Sequence, residues 1–101
     1  MSQTTRALWL WRVREDPELT PMVRHVALLV GAYVDDHGED AVPTVNGLAR
    51  DAAVRRWTAI LSLRTLRRTG WLERVDRLPE GDLYRLTLPT MSTTEREEIE
   101  V

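Results

Sequence analysis

The segment from Pro43 to Leu72, PTVNGLARDAAVRRWTAILSLRTLRRTGWL, constrains the fold more than any other part of the chain. Pro43-Thr44 opens a short helical pattern through Val45, Leu48 and Ala49, about two turns long. A break follows near Ala52-Ala53-Val54. A third helical run is predicted from about Arg55 to Arg68. Gly70 lies just past its end, where a residue with positive φ is wanted. Beyond it, Trp71 to Arg77 alternates as a strand does. Leu78-Pro79-Glu80-Gly81-Asp82 reads as a turn, and Leu83 to Leu88 as a second strand that Pro89 stops.

Upstream, Thr20-Pro21 is a strong helix start, since Thr caps well and Pro has no N–H to leave unbonded. Met22, Val26, Leu29, Val30 and Tyr33 share one face of the helix that follows, which should end near Val34. The polar run Asp35 to Asp40 is a loop, with Gly38 as its reversal. Before Asp16-Pro17, two readings stay open. Leu8, Trp11 and Ala7 share a helical face, whereas Leu8, Leu10 and Arg12 alternate as in a strand. In a helix, Trp9 and Trp11 cannot both enter one core, which leaves one of them for an interface.

The order is helix, helix, helix, hairpin, so the fold class expected is mainly α with a small antiparallel β-hairpin. With 101 residues the chain suffices for one small domain, and its 43% apolar residues supply a core. Three parts are expected: 1–20 as an N-terminal segment and dimer element, 21–88 as the domain, and 89–101 as an acidic, disordered tail. The chain has no cysteine. That removes disulfide scaffolds and cysteine-ligated zinc, and suits a reducing compartment. No run of 18 apolar residues is present, and the N-terminus lacks signal-peptide features, so a cytoplasmic, nucleoid-associated location is expected and no membrane.

Net charge is −2, which at first opposes nucleic-acid binding. Its distribution reverses the inference. The tail holds Glu95, Glu97, Glu98 and Glu100 against Arg96, so residues 1–88 carry 13 bases and 12 acids, a net +1. From Arg50 to Arg77, 8 arginines face 3 acids, a net +5. Concentrated positive charge is what phosphate contact requires. Every base is Arg, whose planar fork suits phosphate oxygens and guanine edges.

The Pro43–Leu72 segment resembles the helix-turn-helix of bacterial winged-helix regulators and plasmid or phage replication proteins. Their pattern is similar to P-S-x-x-x-L-A-x-x-x-G-x-S-x-x-T-V-x-x-x-L-x-x-L-x-x-x-G-W-L. It lies on this chain without a gap, and Pro43, Leu48, Ala49, Thr58, Leu63, Leu66, Gly70, Trp71 and Leu72 match. The preceding LLVGAYVDDHG resembles the helix and loop before that motif, so the likeness spans about two-thirds of the chain. It implies a winged helix-turn-helix that binds double-stranded DNA, as a transcriptional regulator or a replication or partition factor. It implies that helix 55–68 enters the major groove and that hairpin 72–88 is the wing. Carried over by position, the DNA-facing residues are Thr44, Arg55, Arg56, Trp57, Thr58 and Ser62, with Arg67 and Arg68 near phosphate and Arg74 and Arg77 of the wing toward the backbone or minor groove. A homodimer is expected, because one small module seldom gives enough affinity.

The sequence departs from the pattern. Ala53 replaces the turn glycine, Arg55 the capping serine and Ala59 the core valine. Trp57, Ile60 and Leu61 stand where the family shows polar residues. Three roles are open to this trio: a rotated core face, a contact with a protein partner, or apolar base readout such as thymine methyl contact. The second role, with the acidic tail, defines the competing function, a protein-interaction module without DNA binding.

Catalytic chemistry is not expected. No nucleophile elbow, phosphate loop or paired catalytic motif occurs. His25 lies in a helical run and His37 in the acidic loop, whose order D-D-H-G-E-D does not fit a calcium site. Neither metal nor cofactor is expected.

Overall fold

A computed structural model of the chain describes residues 5–35, 37, 44–79 and 81–89. It contains α1 (Thr5–Glu15), α2 (Pro21–Tyr33), α3 (Val45–Ala52), α4 (Arg56–Arg68), β1 (Leu72–Leu78) and β2 (Gly81–Leu86). Among the described residues, four helices and one two-stranded antiparallel sheet make up the coarse class expected. Helix α2 is central and packs on α1, α3 and α4. No helix among the described residues is long and apolar enough to cross a membrane. The Gly38 reversal, Pro43 and the tail from Thr90 onward lie outside the described residues.

Helix α2 begins as its sequence dictates. The Thr20 hydroxyl accepts from the Val23 N–H at 3.2 Å, and Pro21 occupies the first turn. Its buried face keeps Val26 and Val30 as expected, with Leu29 packed at the edge of the core, but is rotated from the expected one. Val26, Ala27, Val30 and Gly31 point inward, while Met22 and Tyr33 are exposed. The reason is α1, which lies so close that a Cβ on Gly31 would come within 2.5 Å of Leu10 Cδ2. A close crossing selects small residues on the α2 face that a count of large apolar residues overlooks. The Arg6 Nε–H donates to the Gly31 carbonyl at 3.0 Å and ties the same crossing.

Residues 5–15 are therefore helical, and α1 packs into the common core. Trp9, Val13 and Leu19 join the common core with Val26, Leu48, Leu66 and Trp71. The two N-terminal tryptophans part as a helix requires: Trp9 is 1% exposed and Trp11 48%. The expected face through Leu8 and Trp11 is thus not the buried one. Trp9 meets Trp71 edge to face, with centroids 6.1 Å apart, and its Nε1–H donates to the Trp71 carbonyl at 2.9 Å.

Helix α3 is capped by Thr44, whose hydroxyl accepts from the Gly47 N–H at 2.9 Å. It ends at Ala53, which adopts φ 56° and ψ 43°. The Ala53 N–H donates to the Arg50 carbonyl and the Val54 N–H to the Ala49 carbonyl, the paired bonds of a glycine-type helix end. A methyl side chain is strained in this left-handed region. Ala53→Gly should therefore stabilise the fold by about 1 kcal/mol, raising the melting temperature by roughly 4–8 °C. Thermal unfolding followed by circular dichroism tests this, and an unchanged or lower midpoint counts against strain at Ala53.

In α4, Arg55 occupies the cap position and makes no side-chain capping bond, as expected. The strand pairing runs from Leu72↔Leu86 to Leu78↔Gly81, with a register shift between Arg74 and Asp76. The strands therefore reach further into the expected turn, and the second begins at Gly81 rather than Leu83.

Candidate nucleic-acid interface

Helical periodicity sorts α4 into two faces. Ala59, Ser62, Leu63 and Leu66 are buried. Opposite them, at spacings of four, three and four, lie Trp57, Leu61, Arg64 and Arg68, all exposed. The outer stripe is thus divided along its length. Its N-terminal half is apolar, with Trp57 62% and Leu61 41% exposed and Ile60 half-buried beside them. Its C-terminal half is cationic.

Gly70 joins the cationic half to the hairpin. With φ +92° it reverses the chain after α4, and the Trp71 N–H bonds back to the Leu66 carbonyl at 2.9 Å. β1 then runs beside the last turns of α4. A groove of about 620 Å³ opens between them, lined by Arg64, Arg67 and Arg68 from α4 and by Glu73 and Arg74 from β1. Tyr84 of β2 is buried close by, and its phenol lies above its ordinary pKa. Burial is the main cause and Asp82 adds to it, while the guanidiniums of Arg67 and Arg74 act in the opposite sense. Both cations therefore sit within electrostatic reach of one ring.

The pairing of these cations matters for ligand binding. Arg74 approaches Asp82 at 3.7 Å, and Arg85 approaches Glu73 at 4.0 Å. Arg55, Arg56, Arg64, Arg67, Arg68 and Arg77 form no ion pair among the described residues. Their charge is not neutralised by an acid among the described residues. Clustered like charge of this kind raises the local potential and favours a polyanion.

The sequence-predicted residues divide accordingly. Arg67, Arg68 and Arg74 come together in the groove. Arg55, Arg56 and Trp57 are exposed at the start of α4, with Thr58 half-buried. Arg77 is exposed further along β1, opposite Asp82. The hydroxyl of Thr44 is engaged in capping α3. Ser62 is a correction: at 3% exposure it faces the core and cannot touch a partner. It falls three residues after Ala59 and four before Leu66, on the inward side, so a gap-free match to an outward family position misplaces it. Arg64 was missed as a site residue. Its signal was available in the 57–61–64–68 spacing, which only becomes decisive once the inward face is known. The apolar trio also divides, with Ile60 at the margin of the core and Trp57 and Leu61 in solvent.

Comparison with protein-family models, curated proteins and solved structures finds no match to this chain.

Proposed function

We propose that this protein binds double-stranded DNA as a winged helix-turn-helix. In this reading α3 and α4 are the helix-turn-helix, α4 enters the major groove and β1–β2 is the wing. The observation that carries it is the arginine groove between α4 and β1, together with Arg55, Arg56, Arg64, Arg67, Arg68 and Arg77, which form no ion pair among the described residues. Element order adds support, because a short helix, a tight turn, a second helix and a hairpin follow one another directly. The net charge of −2 is no obstacle, since binding follows local potential rather than the sum. The role is that of a transcriptional regulator, or of a replication or partition factor, without catalytic activity. A homodimer would supply the affinity that one module lacks. Trp11 is the apolar residue of α1 available to it, since Trp9 belongs to the core.

The test is a fluorescence-anisotropy titration of the full chain on duplex DNA across a salt series. Each phosphate contact contributes about 0.9 to the slope of log affinity against log salt. The combined variant R64A/R67A/R68A should therefore flatten that slope by about 3 and weaken binding to all sequences alike. Absence of binding to any duplex at low salt would sink the reading.

A second reading rests on the exposure of Trp57 and Leu61, which would equally suit a protein interface. There the chain is an interaction module and binds no DNA. R55A/R56A separates the two: loss of duplex binding supports the first reading, and stoichiometric capture of a protein partner unaffected by the substitution supports the second.

A further inference from the structure

We propose that the outer face of α4 reads the 5-methyl groups of thymine, with Trp57 and Leu61 making the contacts. This rests on the DNA-binding reading above and goes further by assigning what the helix recognises.

The argument begins with what the face lacks. From Arg55 to Arg68 there is no Asp, Glu, Asn, Gln or His. Of the three hydroxyls in that span, Ser62 is buried and Thr58 and Thr65 are half-buried. What α4 presents outward is guanidinium donors, one indole N–H donor and apolar surface. In the major groove, adenine and cytosine offer amino donors, which need a side-chain acceptor. Guanine offers two acceptors, and thymine an acceptor plus a methyl group. A face of donors and apolar atoms therefore complements guanine and thymine edges fully, and leaves the amino groups of adenine and cytosine without an acceptor.

Trp57 and Leu61 sharpen this to thymine. The thymine methyl is the apolar group that the major groove displays. The flanking charge argues for DNA as the occupant over an apolar protein face. Exposed Arg55 and Arg56 precede the apolar pair, Arg64 and Arg68 follow it, and none has an ion-pair partner among the described residues. A protein covering Trp57 and Leu61 would have to neutralise cations at both ends, whereas a duplex does so with its phosphates. From Trp57 to Arg68 the stripe rises about 16 Å, roughly five base steps at 3.4 Å each.

The experiment selects a duplex from a random library with the full chain and remakes it with deoxyuridine for thymidine, which removes only the methyl groups. Wild-type protein should lose about four-fold in affinity per contacted methyl, the effect of burying one such group. W57A, and the milder W57L, should bind the two duplexes more nearly alike, as should L61A. R68A should weaken both while keeping their ratio. Trp57 is exposed, so circular dichroism should report an intact fold for its variants. Equal wild-type affinity for the thymine and uracil duplexes, with salt dependence retained, overturns this proposal and leaves DNA binding standing. A ratio that W57A does not change also overturns it, as it would if a protein occupied the face. Failure to bind any duplex at low salt removes both readings together.

Discussion

Trp9→Ala should cost about 3–5 kcal/mol of stability, the range for removing a fully buried large aromatic side chain. A domain of this size has about 5–15 kcal/mol in total, so the variant should melt on the order of 20 °C lower or fail to fold. Three interactions are lost together. The ring is 1% exposed, it packs edge to face on Trp71, and its Nε1–H bonds to the Trp71 carbonyl. That carbonyl also accepts from the Thr87 N–H at 3.0 Å, so the acceptor stays satisfied after the substitution. The loss is therefore mainly cavity and packing, and Trp9→Phe should recover a good part of it. Denaturant unfolding of both variants checks this. A melt close to wild type for Trp9→Ala would mean that α1 does not hold the core.

The second large effect is expected at Gly70. Gly70→Val should destabilise by about 2–3 kcal/mol, because a β-branched residue at positive φ is a strained outlier. Space adds to the penalty: a Cβ there would approach the Pro89 Cα at 3.3 Å, and backbone yields less readily than a side chain. The Thr87 hydroxyl also donates to the Gly70 carbonyl at 2.6 Å, which fixes the end of β2 to the junction. Movement there displaces β1 relative to α4 and so widens or closes the arginine groove. Gly70→Val should lower the unfolding midpoint and, if the protein binds DNA as proposed, the affinity for duplex DNA. Gly70→Ala should do the same more weakly. Unchanged stability in both would show that the left-handed junction is not required.

Where the sequence was legible, a single residue carried an unambiguous local instruction. Thr20-Pro21 starts α2, Gly70 reverses the chain after α4, and Arg55 leaves α4 without a side-chain cap. The faces of helices were harder to read. In α1 the contiguous run Leu8-Trp9-Leu10-Trp11 is apolar in all directions, so no periodicity separates Trp9 from Trp11. In α2 the buried Ala27 and Gly31 are small because another helix passes over them, a fact that lies in α1. Ala53 takes a glycine conformation because the flanking helices demand the turn, and tertiary context overrides its preference. The candidate site followed the same division. Arginine density between Arg50 and Arg77 was countable in advance, but the groove needs Gly70 to bring Arg74 beside Arg67. Ser62 shows the reverse case, where a residue carried over by position lay on the wrong side of the helix.

The separation of the tryptophans gives the molecule two optical populations. Trp9 and Trp71, sealed from water, should emit at short wavelength and be sheltered from a soluble quencher. Trp11 and Trp57 should emit at long wavelength and be open to it. Blue-edge emission therefore follows the integrity of the core, whereas red-edge emission follows the outer surfaces of α1 and α4. Folding and occupancy of α4 can be watched in one cuvette, without a label, as two signals that need not move together.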